Sequence, residues 1–337
     1  MDDSPQQSSV DQLESALDSG APEEAVTCLE RLATHDMETR KAAVRAIRQF
    51  AETQPTALEP VLTTLPSFLT DEERSIRLTT AKLFVEVAEA DPDVVSSVVP
   101  SLADRLADED EFYYVRARSA EALGYVALEH PETAATPEVL ADLQIGLSFD
   151  EPEVREKLAK ALEFVALGDQ DRLRHRVSTL TESLDDPNEL VRYHLCTALV
   201  AIGCASPDAL SESAATLRDR LDDENPYVRG RVVEAFGLLE RADSDVSIPD
   251  VTAAVDDDPE QFLAARVRFA TGGDDDFGDD DPGDAVPETI GSIPAIRDRT
   301  DEIVAEITTP DGDECPNCGL VLPEASTPMC PRCGVPY

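Results

Sequence analysis

Tryptophan is absent from the 337-residue chain, and aromatic residues make up only 5% of it. A core without large rings is filled by Ala, Leu and Val, a mixture that suits packed helices. Lysine is almost missing as well. Lys41, Lys82, Lys157 and Lys160 are the only four, and every other basic residue is arginine. With 28 Lys+Arg against 71 Asp+Glu the formal charge is −43. Nonspecific nucleic-acid binding, which needs net positive charge facing phosphate, is thereby disfavoured. No run approaches the roughly 18 apolar residues that span a bilayer. The opening MDDSPQQSSV is acidic and polar, without the apolar segment of a secretory signal, so a cytoplasmic location is expected. There is no G-x-S-x-G, no Gly-rich phosphate loop followed by Lys and no H-E-x-x-H, and an enzyme is not expected.

The acids are spread along the chain and not gathered in a tail. A charge of −43 repels itself at ordinary ionic strength. In molar salt the Debye length falls to about 3 Å and the repulsion is screened. Excess carboxylate with few lysines resembles the cytoplasmic proteins of salt-accumulating, haloarchaeal-type cells. Seven cysteines are present: Cys28, Cys196 and Cys204 stand alone in helical segments, as small core residues do, and the other four form two close pairs near the end.

An internal repeat emerges once one arginine is taken as the register mark. Arg40, Arg77, Arg116, Arg155, Arg192 and Arg229 are separated by 37, 39, 39, 37 and 37 residues. Eight before the Arg stands Leu32, Leu69, Leu147, Leu184 and Leu221; in the third copy a longer loop moves the Leu to 106. Seven after it come Ile47, Phe84, Leu123, Leu162, Leu199 and Phe236, and ten after it Phe50, Val87, Val126, Val165, Ile202 and Leu239. These offsets trace one face of a helix. A shorter apolar pattern precedes each copy, and an acidic turn, often with Pro, joins the two: DEPEVR, DDPNELVR, DDENPYVR. Asp is expected to cap the second helix and Pro to occupy its first turn. Each unit thus reads helix A, turn, helix B, and neither helix buries its apolar stripe alone, so copies must stack. Arg266, 37 residues beyond Arg229, marks an incomplete seventh copy over 248–270.

The period, the turn Asp and Pro, and the Val-Arg pair opening helix B resemble the HEAT family, and within it the short HEAT-like repeats typified by phycobilisome lyases. The resemblance covers roughly residues 20–270. It implies an all-α, α-α superhelix (a HEAT-type solenoid), with turn Asp and helix-B Arg forming a structural ladder and the B helices lining the concave side. HEAT-repeat di-iron hydroxylases carry paired His-Glu steps; here His35, His130, His175 and His194 are followed by Asp, Pro, Arg and Leu, which disfavours that activity.

The domain reading is an N-terminal cap over 1–20, the repeat solenoid over 21–270, an acidic linker over 271–313, and a zinc ribbon over 314–337. The linker opens TGGDDDFGDDDPGD, too poor in apolar residues to fold. Within it a helix is expected over 292–307, capped by Ser292, either docking on the solenoid or binding a partner. Cys315, Cys318, Cys330 and Cys333 form two C-x-x-C pairs, each followed by Gly. Four thiolates suit tetrahedral Zn²⁺, and a closed four-sulfur set makes the metal structural. Iron takes similar ligands.

One distribution points to a binding surface. Arg118, Lys157, His194 and Arg231 stand two past the ladder Arg, and Arg45, Lys82 and Lys160 stand five past it. With Tyr125 they are expected to form a basic, Tyr-dotted stripe on the B helices. The leading expectation is a non-enzymatic interaction scaffold for an acidic or extended protein partner, with the ribbon as a second contact. The alternatives are a nucleic-acid or transcription-associated zinc-ribbon factor, disfavoured because 311–337 carries one basic residue, Arg332, and, further off, a lyase-like enzyme.

Overall fold

The structure, a computed structural model, describes residues 5–242, 244–255, 260–272 and 290–308, with the backbone alone for 5–8. Every regular element among them is helical. No described helix is long and apolar enough to cross a membrane. The expected zinc ribbon and most of the acidic linker lie outside the described residues. The chain forms two compact units, 1–169 and 170–337.

In the first unit, α1 (Pro5–Asp18) and α2 (Pro22–Leu32) precede the first B helix, α3 (Met37–Ala51). The later B helices are α4 (Arg74–Ala90), α6 (Tyr113–Glu129) and α8 (Pro152–Gly168). Their A partners are short turns around 59–62 and 66–69, then α5 (Val99–Ala107) and α7 (Pro137–Gly146). Leu13, Ala16 and Leu17 of α1 are buried where it packs on α2 and α3. The register positions are the core: Ile47, Phe84, Leu123 and Leu162 are all buried, as are Val87, Val126 and Val165. Helices α6 and α8 approach so closely that a Cβ on Gly124 would lie 2.8 Å from Ala161 Cα. Glycine stands there because no other residue leaves the backbones room.

The second unit holds α9 (Val177–Glu182), α10 (Glu189–Ala205), α11 (Ala214–Asp219), α12 (Pro226–Arg241), α13 (Gln261–Thr271) and α14 (Ile293–Thr308). Its B helices are α10, α12 and α13. Leu199, Ile202, Phe236 and Leu239 are buried as the register requires. The helix expected at 292–307 is present as α14.

The ladder takes a definite form. The marker Arg is the fourth residue of each B helix from α3 to α12. Its guanidinium reaches the turn carboxylate of the following repeat: Arg40 Nε–Asp71 at 2.7 Å, Arg77 Nε–Glu111 at 2.8 Å, Arg192 Nε–Asp223 at 2.7 Å. A second nitrogen donates to carbonyls of its own turn, as Arg192 Nη1 does to Asp186 O at 2.8 Å and Arg229 Nη1 to Asp223 O at 2.7 Å. The carboxylates also close the turns, for Asp71, Asp186 and Asp223 accept from the backbone N–H two residues on. The turn aspartate was expected to cap helix B. Only Asp36 does so, for α3; at α4, α10 and α12 the caps are Glu73, Asn188 and Asn225, two residues past the aspartate, and Asp71 and Asp223 are already held by Arg40 and Arg192. Two rungs take other partners: the turn before α8 carries Phe149 at that place, and Arg116 stacks on its ring at 4.8 Å, while Arg229 Nε donates to the Ala254 carbonyl at 3.1 Å.

The seventh copy is shifted. Arg266 is the sixth residue of α13, and Ala264 occupies the fourth, ladder position. The connection into α13 is two residues shorter than a strict 37-residue step requires, so Arg266 falls in the column of Arg231 instead of the ladder.

Candidate functional site

The column two past the ladder Arg and the column five past it lie one helical turn apart on the same face. In the first unit they converge on Glu121. Its carboxylate, 4% exposed, takes Arg118 Nη1 at 2.6 Å and the Nζ atoms of Lys157 and Lys160 at 3.6 Å each. Burial alone would raise the Glu121 pKa. The charges of Lys157, Arg118 and Lys160 overcome it and hold the carboxyl down at about 2. Lys160 also lies over the ring of Tyr125 at 4.7 Å and that of Phe164 at 5.3 Å, and donates to Tyr125 Oη at 2.8 Å. The rings and the lysine form a cation–π platform. The three cationic side chains keep 14–29% of their surface exposed, so they are anchored at one end and open at the other. Lys157 also pairs with Glu156 at 2.9 Å.

The second unit repeats this layout in closed form. Glu234, again five past its ladder Arg, takes Arg231 Nη1 at 2.9 Å from its own helix and Arg266 Nε at 2.8 Å from the next. All three are buried, Arg231 completely. Desolvation tends to neutralise Glu234, but the charges of Arg266 and Arg231 win and its pKa is lowered. Arg231 Nη2 also donates to Tyr193 Oη at 3.2 Å. The other carboxylate oxygen of Glu234 accepts from Gly291 N at 3.0 Å, just before α14.

This architecture was then compared with known proteins. Residues 177–270 match the HEAT repeats family. The match spans helices α9 to α13 of the second unit, and the repeats before residue 177 rest on the shared register. Among solved structures, an engineered protein is 18% identical, with a TM-score of 0.59 over 91% of this chain and 80% of its own. A second engineered protein is 20% identical, with a TM-score of 0.55 over 63% and 96%. A designed armadillo repeat protein is 16% identical, with a TM-score of 0.53 over 63% and 99%. The fold is that of HEAT- and armadillo-like helical repeats. No curated protein matches.

Within these repeats the expected site residues part company. Arg118, Tyr125, Lys157 and Lys160 come together in one cluster. Lys82 is half-buried on α4 and Arg45 is exposed on α3, and neither is among the Glu121 contacts. His194 and Arg231 were expected on an open basic surface. Both are completely buried, so they do not face solvent. Arg231 is buried because Glu234 and Tyr193 supply partners that replace water. Burial pushes the thiols of Cys196 and Cys204 up to about 12. Cys315, Cys318, Cys330 and Cys333 lie outside the described residues. The sequence reading overlooked that a glutamate five past the ladder Arg organises each cluster, although Glu121 and Glu234 share that register.

Proposed function

We propose that the protein is a non-enzymatic interaction scaffold whose first unit docks an acidic, extended segment of a protein partner on the B-helix face around Glu121. The observation that carries this reading is the composition of the cluster. Three cations face two carboxylates, buried Glu121 and Glu156 beside Lys157, a local excess of one positive charge in a chain of formal −43. Anchoring by Glu121 and by the rings of Tyr125 and Phe164 fixes the cations before a ligand arrives, which lowers the ordering cost of binding. A partner from a similarly acidic proteome offers the complementary charge. In molar salt long-range steering is screened, but partly buried contact pairs are screened much less.

The second contact in this proposal is the C-terminal ribbon, with Cys315, Cys318, Cys330 and Cys333 holding one structural Zn²⁺ through four thiolates. Two linked contacts raise the effective concentration of each. The setting is the cytoplasm of a salt-accumulating cell, where the surface acids keep the chain soluble.

The test is capture of partners from native lysate in molar salt, comparing the wild type with Lys157→Glu/Lys160→Glu. These side chains are 14–21% exposed, and the exchange leaves the ladder untouched. Loss of the captured partners by tenfold or more, with unchanged circular dichroism, is the expected result. Equal recovery by the folded variant refutes the proposal.

A further inference from the structure

The sequence leaves open whether the helix over 292–307 docks or binds elsewhere. In the structure α14 lies in the second unit, packed on α10, and buries Ile296, Thr300 and Ile303. Ile296 and Ile303 are seven residues apart, two turns on one face. Tyr227 Oη of α12 donates to Glu306 at 2.6 Å, Gly291 N donates to Glu234 at 3.0 Å, and the Arg299 guanidinium lies over the Phe262 ring of α13 at 5.9 Å. Gly291 has φ +79°, and a Cβ there would lie 2.7 Å from the Phe269 ring of α13. The segment therefore enters through a left-handed turn that only glycine adopts freely.

The charges match. Helix α14 carries Asp298, Asp301, Glu302 and Glu306 against Arg297 and Arg299, a formal −2. Helices α10, α12 and α13 carry six arginines and three glutamates, a formal +3. Three buried side chains out of sixteen residues make α14 a shallow element beside the continuous cores of α10 and α12, whose buried residues run almost unbroken from Leu190 to Gly203 and from Val228 to Leu239.

We propose that the B-helix face of the second unit is a docking groove for an acidic amphipathic helix, occupied in cis by α14, so that a partner helix of the same chemistry binds there only by displacing it. Packed on α10 and tied to Glu234 of α12 through Gly291 N, α14 shows what this face accepts: isoleucines two turns apart on a helix that also carries carboxylates. Being part of the chain, α14 is held at a local concentration that an outside helix must overcome. The inference concerns α10, α12 and α13 alone and stands or falls apart from the reading of Glu121.

The experiment uses the full chain in three forms: wild type, Ile296→Asp/Ile303→Asp, and Gly291→Ala. The probe is a fluorescein-labelled peptide with the sequence of residues 290–308. Binding is read by anisotropy, and hydrogen exchange reports separately on α14 and on α10, α12 and α13. Both variants are expected to lose protection in α14, keep it in α10, α12 and α13, and bind the peptide at least tenfold more tightly than the wild type. Loss of protection in α10, α12 and α13 together with α14 would make it a fixed part of the core and overturn the proposal. Unchanged protection of α14 in both variants, or peptide affinity equal to wild type, overturns it too.

Discussion

Replacing Glu121 by Gln removes the charge on which Arg118, Lys157 and Lys160 converge while keeping the side chain's shape. The carboxyl is held near 2, against an ordinary value of 4.5, by those cations working against its burial. At 1.36 kcal/mol per pKa unit, the folded state is stabilised by about 3 kcal/mol through this ionisation. The cations are 14–29% exposed and regain some water in the variant, which places the expected loss at about 2–3 kcal/mol. For a unit of this size that is a fall in Tm of about 4–12 °C. The sign with pH follows from the lowered pKa: the contribution is full above the unfolded value, near 4.5, and disappears as pH falls toward 2. Urea unfolding of wild type and Glu121→Gln between pH 7 and pH 2.5 reads this directly. The stability gap should be constant from pH 7 to about 5.5 and narrow below that. Equal stability at pH 7, or a gap that stays constant down to pH 2.5, would refute the electrostatic account of the cluster.

Three further outcomes can be checked. Asp223→Ala leaves Arg192, whose side chain is 11% exposed, without its carboxylate and opens the turn before α12; the expected loss is about 3 kcal/mol by chemical denaturation, and a loss below about 0.5 kcal/mol, the usual scale of surface pairs, would make the rung dispensable. Gly124→Val forces a branched side chain against the Ala161 backbone, and overpacking of this kind costs about 1–3 kcal/mol or more; an unchanged Tm would contradict the close approach of α6 and α8. Metal analysis of the full chain should find one zinc per chain, lost in Cys330→Ser; iron in its place, or no bound metal, would overturn the four-thiolate reading.

The repeated helices were legible because six copies, 37–39 residues apart, carry apolar residues at the same offsets. The ladder was expected through the resemblance to HEAT repeats, which the marker arginine and the turn acid carry. What the sequence hid follows from local insertions and from three-dimensional pairing. A connection shortened by two residues moved Arg266 out of the ladder column. Phe149 in the acid's place turned an ion pair into ring stacking. His194 and Arg231 read as surface residues because periodicity assigns a face of the helix, and neighbouring helices decide whether that face stays open. Glu234, Tyr193 and Arg266 close it in the second unit, whereas Arg118, Lys157 and Lys160 keep part of their surface in water.

The scarcity of lysine supplies the most direct measurement. Lys41, Lys82, Lys157 and Lys160 all lie on the B helices of the first unit, so an amine-reactive cross-linker applied in native lysate at molar salt reports on that face. The account predicts intermolecular cross-links concentrated at Lys157 and Lys160, joined to acidic segments of a partner and absent from Lys157→Glu/Lys160→Glu. Partner cross-links confined to Lys41 and Lys82, with capture undiminished in that variant, would contradict it.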